Sequence, residues 1–262
     1  SYSDGDQWFE WSPDSKWILS EFIGIGGWNN KDIVLLNADG KGEMHNLTES
    51  GYSDGNAKWV LGGKAMVWFS DRAGYRSHGS WGAQYDAYIM FFDVDAYDRF
   101  RMNKEDLALL EEAEKAEKAE KEKAEKKKKE NKKDDKKKDA KEKNKKEEVK
   151  PLKFDLDNRF DRIVRLTVNS SFMGDAVLTP KGVKLYYLAA FESGYDLWEH
   201  DLKENSTKIL LKGVGGGSLL PDKKGENIFM CTGGGMKKIE IAGSKTTPIA
   251  FESFFDYQPG GE

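Results

Sequence analysis

The segment Trp8-Phe-Glu-Trp-Ser-Pro-Asp-Ser-Lys16 decides the fold, because it carries an aromatic strand into a tight turn. Pro13 presets its own φ angle for a turn, and the Asp14 side chain can hydrogen-bond the turn backbone. A second apolar strand, Trp17 to Phe22, follows immediately. The segment therefore predicts a β-hairpin.

The same strand and turn chemistry returns along the chain. The first unit continues with strands at Lys31–Asn37 and Met44–Thr48. Later units are predicted at Ala57–Lys64, Ala65–Phe69, Asp86–Asp93 and Arg162–Thr167; at Asp175–Gly182, Val183–Ala189, Tyr195–Leu202 and Lys208–Leu211; and, more degenerate, at Ser218–Asp222, Asn227–Thr232, Met236–Ile241 and Pro248–Phe251. Four strands per unit at a period of about 40–45 residues, with insertions set aside, are typical of propeller blades.

We therefore predict an all-β fold, a β-propeller of about four blades of four antiparallel strands, forming part of a larger propeller. A charged helical insertion interrupts blade 2 between its third and fourth strands. The predicted organisation is 1–102 for blades 1 and 2 and 103–150 for the Lys/Glu/Ala-rich insertion. The remainder, 151–262, holds the end of blade 2, blades 3 and 4, and the start of a linker to a downstream domain. A β-sandwich is not expected to repeat its strands and turns in this order.

The insertion is predicted to be a solvated helix from about Asn103 to Glu130, followed by a looser return. Asn103 can cap it, with an acidic residue at the third position. Leu107, Leu109 and Leu110 are candidates to dock its first turn on the propeller. Beyond them the sequence offers i,i+4 charge pairs but no apolar seam. A spacer is favoured over a partner-binding arm.

The eight tryptophans are predicted to pack between blades, with Trp11 and Trp17 filling the wedge beside the hairpin. The single cysteine, Cys231, is predicted to be a small buried residue on a strand. Because acids balance the lysines of the insertion, nucleic-acid binding is not expected. No apolar stretch is long enough for a membrane span.

No catalytic residue, cofactor or metal site is predicted. His45, His78 and His200 fall on three different units without metal-ligand spacing. Neither a phosphate-binding loop nor a Gly-x-Ser-x-Gly elbow is present. The chain opens with neither Met nor an apolar leader, which is typical of an excised segment, so a periplasmic and a cytoplasmic location in a bacterium both remain open.

The candidate ligand surface is the end of the propeller that bears the loops between second and third strands. Two of these loops, at 24–30 and 72–84, are long and carry aromatic and arginine side chains. The candidate peptide-binding residues are Trp28, Arg72, Tyr75, Arg76, His78 and Trp81. The alternative is that these loops fold over one another or pack on a neighbouring domain.

Three motifs carry a family resemblance. The run Trp11-Ser-Pro-Asp-Ser-Lys-Trp-Ile18 resembles the Trp-Ser-Pro-Asp-Gly-Lys repeat of TolB-type, prolyl-oligopeptidase and tricorn propellers. The run Trp68-Phe-Ser-Asp-Arg-Ala-Gly74 is similar to the Ser-Asp-Arg-x-Gly that follows their second strand. Leu152–Asn158 followed by Arg162–Thr167 resembles the edge-strand pattern of the tricorn-type serine peptidases. The resemblance covers the chain apart from the insertion.

The resemblance implies a non-catalytic propeller segment of a tricorn-like serine peptidase. Such a segment would gate or bind peptides and unfolded polypeptide for a catalytic domain outside this chain. Its partners would be the remaining propeller, PDZ and catalytic domains of the parent protein. The alternative is a TolB-like interaction scaffold without a peptidase partner. In either case open blade edges are expected to favour self-association.

Overall fold

The computed structural model of the chain describes residues 8–24, 30–76, 82–130, 151–222, 224–233 and 235–250. Its strands form four antiparallel sheets of four strands each, and strands that follow one another in sequence lie side by side. We call these sheets blades 1 to 4. The predicted all-β fold of repeated four-stranded units is confirmed.

The strand bounds follow the predicted repeat closely. Blade 1 contains β1 (Phe9–Trp11), β2 (Trp17–Ile23), β3 (Lys31–Asn37) and β4 (His45–Asn46). Blade 2 contains β5 (Asp54–Val60), β6 (Ala65–Ser70), β7 (Asp86–Phe91) and β8 (Ile163–Arg165). Blade 3 contains β9 (Phe172–Leu178), β10 (Lys184–Ala190), β11 (Asp196–Asp201) and β12 (Ser206–Leu211). Blade 4 contains β13 (Gly217–Pro221), β14 (Asn227–Thr232), β15 (Gly235–Glu240) and β16 (Lys245–Ile249); the predicted strand residue Phe251 lies outside the described residues.

A side-chain oxygen network closes the first hairpin. The Asp14 carboxylate accepts a hydrogen bond from the Lys16 amide at 3.1 Å, which confirms its predicted role in the turn. The Ser12 hydroxyl accepts from the Trp17 amide at 2.9 Å and donates to Asp14 at 2.6 Å. In blade 3, Thr179 does the same for the Lys184 amide at 3.0 Å. A hydroxyl directly before Pro is therefore part of this turn, which the sequence argument overlooked.

Three apolar clusters hold the blades together, one between each pair of neighbours. Between blades 1 and 2 lie Leu19, Ile33, Leu35, Met66, Trp68 and Met90. Between blades 2 and 3 lie Val67, Ile89, Phe91, Leu178, Leu185 and Tyr187. Between blades 3 and 4 lie Tyr186, Leu188, Leu197, Leu219, Ile228 and Met230. Because each strand alternates its side chains, blades 2 and 3 bury an apolar face on both sides.

Among the described residues, the tryptophans follow the predicted packing except at Trp11. Trp68 is fully buried, and Trp17 and Trp59 pack against the cluster between blades 1 and 2. Trp11 was predicted to fill the same wedge, and this is wrong, because its side chain is 51% exposed. It pairs with Ile18 and projects from the opposite face of blade 1. Cys231 lies on β14 as predicted but is only partly buried.

The leading face of blade 1, which carries Phe9 and Trp11, is open. Phe9 is 56% exposed, whereas the residues at the same hairpin position in later blades, Ala57, Ala176 and Leu219, are at most 3% exposed. In those blades the preceding blade covers this position. Within the described residues the four sheets therefore pack in series without closing into a ring.

A short helix that the sequence argument did not predict, α1 (Val94–Arg101), follows β7 directly. The Asp93 carboxylate caps it by accepting a hydrogen bond from the Ala96 amide at 2.7 Å. The rings of Tyr97 and Phe100 pack on Phe91, with centroids 5.4 and 5.0 Å away. This helix therefore joins the core at the end of blade 2 opposite the loops at 24–30 and 72–84.

The second helix, α2 (Lys104–Glu130), has the predicted bounds and cap. The Asn103 side chain accepts a hydrogen bond from the Asp106 amide at 2.8 Å. Leu107 is buried as expected, but Leu109 is 65% exposed and its predicted docking is wrong. Glu111, four residues after Leu107, faces blade 3 instead and pairs with Lys181 at 2.9 Å. No described helix is long and apolar enough to cross a membrane.

The return from the insertion packs on blades 1 and 2 without forming a strand. Leu152–Asn158 has no strand structure, and the predicted edge strand at Arg162–Thr167 is present after it as β8. Its Leu152 amide instead donates to the Asp14 carboxylate at 2.9 Å. The Phe154 ring contacts those of Trp17 and Phe92, with centroids 5.0 and 5.3 Å away. We call the Phe154 ring, together with the rings that it contacts, the aromatic plug.

Candidate functional site

Loops from two blades meet at the predicted ligand-binding end of the molecule. In an antiparallel blade, the loop between second and third strands lies at the same end as the crossover to the next blade. The Asn30 side chain, from the loop of blade 1, donates to the carbonyl oxygen of Gly51 in the first crossover. Arg76, from the loop of blade 2, donates to the same oxygen at 3.4 Å. The described ends of the two loops therefore approach the same crossover.

Arg72 makes structural contacts at this end of blade 2. Its guanidinium lies 3.3 and 3.4 Å from the two carboxylate oxygens of Asp54, whose side chain is fully buried. It also lies over the rings of Trp68 and Tyr88, 5.4 and 5.0 Å from their centroids. The indole N–H of Trp68 donates to the same carboxylate at 3.1 Å. Arg72 therefore neutralises a buried charge and fixes the base of the loop.

Arg76 and two tyrosines form the exposed part of the site. The guanidinium of Arg76 lies over the Tyr52 ring, 4.9 Å from its centroid, and its Nε is 3.3 Å from the carboxylate of Asp71. Its side chain is nevertheless 37% exposed, and Tyr75 is 68% exposed. We call Tyr52, Tyr75 and Arg76 the loop-end surface. It combines a held cation with two accessible rings.

Tyr52 was not among the predicted site residues. The only signal was its place in the crossover Gly51-Tyr-Ser-Asp54, at the end of the blade where the long loops were expected. Of the candidate residues, Arg72, Tyr75 and Arg76 lie in the described part of the segment that follows β6. Trp28, His78 and Trp81 lie outside the described residues.

Buried aspartates at the start of third strands are structural. Asp32 and Asp86 occupy this position in blades 1 and 2, and both are fully buried. Asp32 accepts a hydrogen bond from Thr48 at 3.2 Å, and Asp86 from Thr167 at 2.7 Å. Each threonine oxygen in turn accepts from the amide after its aspartate. These hydrogen bonds join the residues that follow the fourth strand to the third strand of the same blade.

The innermost strands carry a chain of charges that we call the inner-strand cluster. Lys58 of β5 pairs with Asp175 of β9 at 2.5 Å, and Asp175 accepts from the Leu219 amide of β13 at 2.7 Å. Glu10 of β1 accepts from the Trp59 amide at 3.3 Å. Burial raises the pKa of Glu10 to about 7, although this amide and the charge of Lys58 oppose the shift. All four blades are thereby linked at their inner strands.

The histidines do not form catalytic geometry within the described residues. His200 is buried, which lowers its pKa, and its Nδ1 lies 2.7 Å from the Thr207 hydroxyl on the neighbouring strand. The two residues are direct cross-strand partners, so this bond supports the sheet. Among the described residues no group of three or more His, Cys, Asp or Glu could hold a metal ion.

Comparison with known proteins places the fold. No protein-family model and no curated protein matches the chain. Among solved structures, the crystal structure of the tricorn protease is similar with a TM-score of 0.53 and 10% identity, over 92% of this chain and 22% of that one. TolB from Acinetobacter baumannii follows with a TM-score of 0.47 and 8% identity, over 94% and 41% of the two chains. A structure from a study of two prolyl endopeptidases gives 0.45 and 12%, over 94% and 28%.

The chain thus spans less than half the length of each of these proteins. At 10% identity, the likeness to the tricorn protease extends to the fold alone. Together with four serial four-stranded sheets, it identifies the chain as a propeller-type fold of the kind present in the tricorn protease.

Proposed function

We propose that this chain is a non-catalytic propeller segment of a tricorn-like serine peptidase, and that it binds polypeptide for a catalytic domain outside the chain. The observation that carries the proposal is the loop-end surface, where Arg76 lies between Tyr52 and the Asp71 carboxylate and remains partly accessible. The fold-level likeness to the tricorn protease supports the choice of parent.

The loop-end surface has the chemistry for an irregular polypeptide. A guanidinium donates to backbone carbonyls or to a terminal carboxylate, and tyrosine rings offer apolar area with little loss of conformational entropy. Because Asp71 and Tyr52 hold Arg76, binding would order few additional side chains. Arg72 contributes by position, since it fixes the loop from which Tyr75 and Arg76 project.

The remaining propeller of the parent protein is proposed to cover the leading face of blade 1. A four-stranded sheet is the occupant that blades 2, 3 and 4 have at this position, where their equivalent residues are buried. Two large apolar side chains, Phe9 and Trp11, would pack there. PDZ and catalytic domains complete the proposed parent.

The test is binding of fluorescein-labelled β-casein, an unstructured polypeptide, measured by anisotropy. Replacing Tyr75 and Arg76 together by Ala is expected to weaken binding about tenfold or more. Arg101→Ala is the matched control, because Arg101 also lies over a tyrosine ring, 5.4 Å from Tyr97, but at the opposite end of blade 2. Equal loss in both variants would contradict the assignment of the loop-end surface.

Two further results bear on the class of protein. Hydrolysis of casein by the purified chain, blocked by a serine-directed inhibitor, would contradict a non-catalytic segment. Absence of casein binding, with retained binding of a folded partner protein, would favour the TolB-like scaffold instead.

A further inference from the structure

A second candidate binding site lies on the outer side of the molecule, between blades 2 and 3. It is an apolar cleft of about 240 Å³ that the proposed function does not use. Its lining consists of Val168, Asn169, Tyr187, Phe191, Trp198 and Thr207. None of these side chains carries a formal charge, so the cleft is suited to a neutral group. Its volume is below the roughly 300–1,000 Å³ of small-molecule pockets, which suits a single side chain.

The cleft exists because neighbouring blades differ in the length of their outer strands. The fourth strand of blade 2, β8, has three residues, whereas β12 in blade 3 has six. The chain leaves blade 2 after Arg165 and crosses to β9 through a segment that includes Val168 and Asn169. The outer half of blade 3 is therefore not covered by a strand of blade 2, and the crossover forms one wall.

Aromatic rings form the other wall. The Trp198 ring is stacked on Tyr187, with centroids 6.3 Å apart, and Phe191 meets it edge-on at 5.2 Å. Phe191 is 39% exposed and Val168 is 52% exposed, so the mouth of the cleft is apolar surface in contact with water. The indole N–H of Trp198 is buried without a hydrogen-bond partner among the described residues. Occupation by an apolar group would remove this surface from water.

An unpaired strand edge lies beside the cleft. β12 is the outer strand of its sheet and pairs only with β11 among the described strands. Its first four residues, Ser206 to Ile209, are exposed, and Thr207 lines the cleft itself. An edge strand presents backbone N–H and C=O groups that another extended chain can pair with. The edge and the cleft thus offer two complementary elements of one site.

We infer that an extended polypeptide adds to the outer edge of β12 and places one aromatic side chain in this cleft. Residues paired across neighbouring strands point to the same face, so a residue opposite Thr207 would point towards Val168 and Trp198. Main-chain hydrogen bonds would supply affinity, and the cleft would select the side chain. The inference shares its ligand class with the proposed function but rests on a different surface.

The experiment uses the blocked peptide Ac-Lys-Thr-Val-Phe-Val-Thr-Lys-NH2 and its central Phe→Ala counterpart with the full chain. The phenylalanine peptide is expected to bind about tenfold more tightly. Val168→Glu should abolish that preference, because it places a charge at the apolar mouth. Val94→Glu is the matched control: Val94 is similarly exposed, at 43%, and begins α1 at the opposite end of blade 2.

Two readouts locate the bound peptide. The indole N–H resonance of Trp198, assigned with Trp198→Phe, should shift on titration. A peptide N-methylated on alternate residues should bind about tenfold more weakly, since it cannot pair with the edge. Equal binding of the two peptides, an unchanged Trp198 resonance, or an unaffected Val168→Glu variant would overturn the inference. The Tyr75/Arg76 double variant should bind this peptide normally, so failure here is distinguishable from failure of the loop-end surface.

Discussion

Trp11 and Trp59 occupy the same position in successive blades, yet only Trp59 is covered by a neighbouring blade. Each pairs with the second residue after its hairpin turn, Ile18 or Met66. The indole N–H of Trp59 donates to the carbonyl oxygen of Glu10 in blade 1 at 3.3 Å. Trp11 is 51% exposed. The repeat thus indicates that the open face of blade 1 is suited to packing against another four-stranded sheet.

This face is expected to drive self-association of the isolated chain. Replacing Trp11 by Glu should shift the chain towards monomer in sedimentation velocity, because a charge disfavours apolar contact. Its own stability should change by less than about 1 kcal/mol, since the residue is exposed. Leu109→Glu, on the exposed side of α2, is the control and should leave association unchanged. Strictly monomeric behaviour of the unmodified chain at high concentration would contradict this expectation.

Glu10 is expected to make the chain less stable as the pH rises. Its pKa is raised from 4.5 to about 7 by burial, so between these values the folded state holds a proton that the unfolded state has lost. The free energy of unfolding therefore falls across this window, by about 1–3 kcal/mol after allowance for partial exposure. Glu10→Gln should remove the dependence in urea titrations at pH 5 and pH 8. Equal pH dependence in the variant would refute the assignment.

Glu199 should behave in the opposite way. Burial opposes ionisation, but the Ser244 hydroxyl and the ammonium groups of Lys184 and Lys208 contact its carboxylate and lower its pKa to about 2. Its contribution is thus present above about pH 4.5 and is lost as the pH falls towards 2. Glu199→Gln should destabilise the chain by about 1–3 kcal/mol at pH 7 and much less at pH 2.5, as measured by urea unfolding. The exposed Glu204→Gln is the control, with little effect at either pH.

Arg72 and Arg76 are expected to separate stability from binding. Arg72→Ala leaves the buried Asp54 carboxylate without its cation and should cost about 2–4 kcal/mol of unfolding free energy. Arg76→Ala removes a cation that is itself 37% exposed, and the buried Asp71 carboxylate keeps the hydrogen bond from the Ser53 amide, so the cost should be smaller, about 1 kcal/mol. Thermal unfolding of both variants, alongside casein binding, tests the distinction. A stable Arg72→Ala chain would show that this arginine does not anchor the loop.

Only the part of the insertion beyond the first turns of α2 is expected to be dispensable. We call these first turns, which carry the buried Leu107, the docked root. Residues 122–148 should be replaceable by a Gly/Ser linker with a change below about 1 kcal/mol. Deletion from Lys104 onward should cost more, because Leu107 is buried. Leu107→Ala alone should cost about 2 kcal/mol or more. Circular dichroism melts of the three variants decide the point, and equal melts would contradict a docked root.

The fold was predictable where local chemistry repeats, and less so where distant segments meet. The turn around Pro13 and the cap at Asn103 depend on residues a few positions apart, so both could be inferred. Helix α1 was not predicted, because Asp93-Val-Asp-Ala-Tyr97 resembles the end of a strand in sequence. The helix is stabilised by the packing of Tyr97 and Phe100 on Phe91, which the local pattern does not show.

The sites were harder to predict for the same reason. Tyr52 gains its role only from the approach of Arg76, a contact between two blades. The inner-strand cluster likewise depends on how four blades are set against one another, which no single repeat specifies. The cleft at Trp198 follows from a difference in strand length between neighbouring blades, which the repeated sequence pattern does not specify.

The position of the aromatic plug has a consequence for synthesis of the chain on the ribosome. Trp17, Trp59 and Phe92 emerge first, but Phe154, which packs against all three, is made only after both helices and the whole charged block. At about 5–20 residues per second, several seconds pass before it is available. Through that interval the nascent chain holds one complete blade, three strands of the next, and an unsealed aromatic seam between them. The speed of translation through this lysine-rich segment therefore sets how long the exposed aromatic side chains are accessible to chaperones.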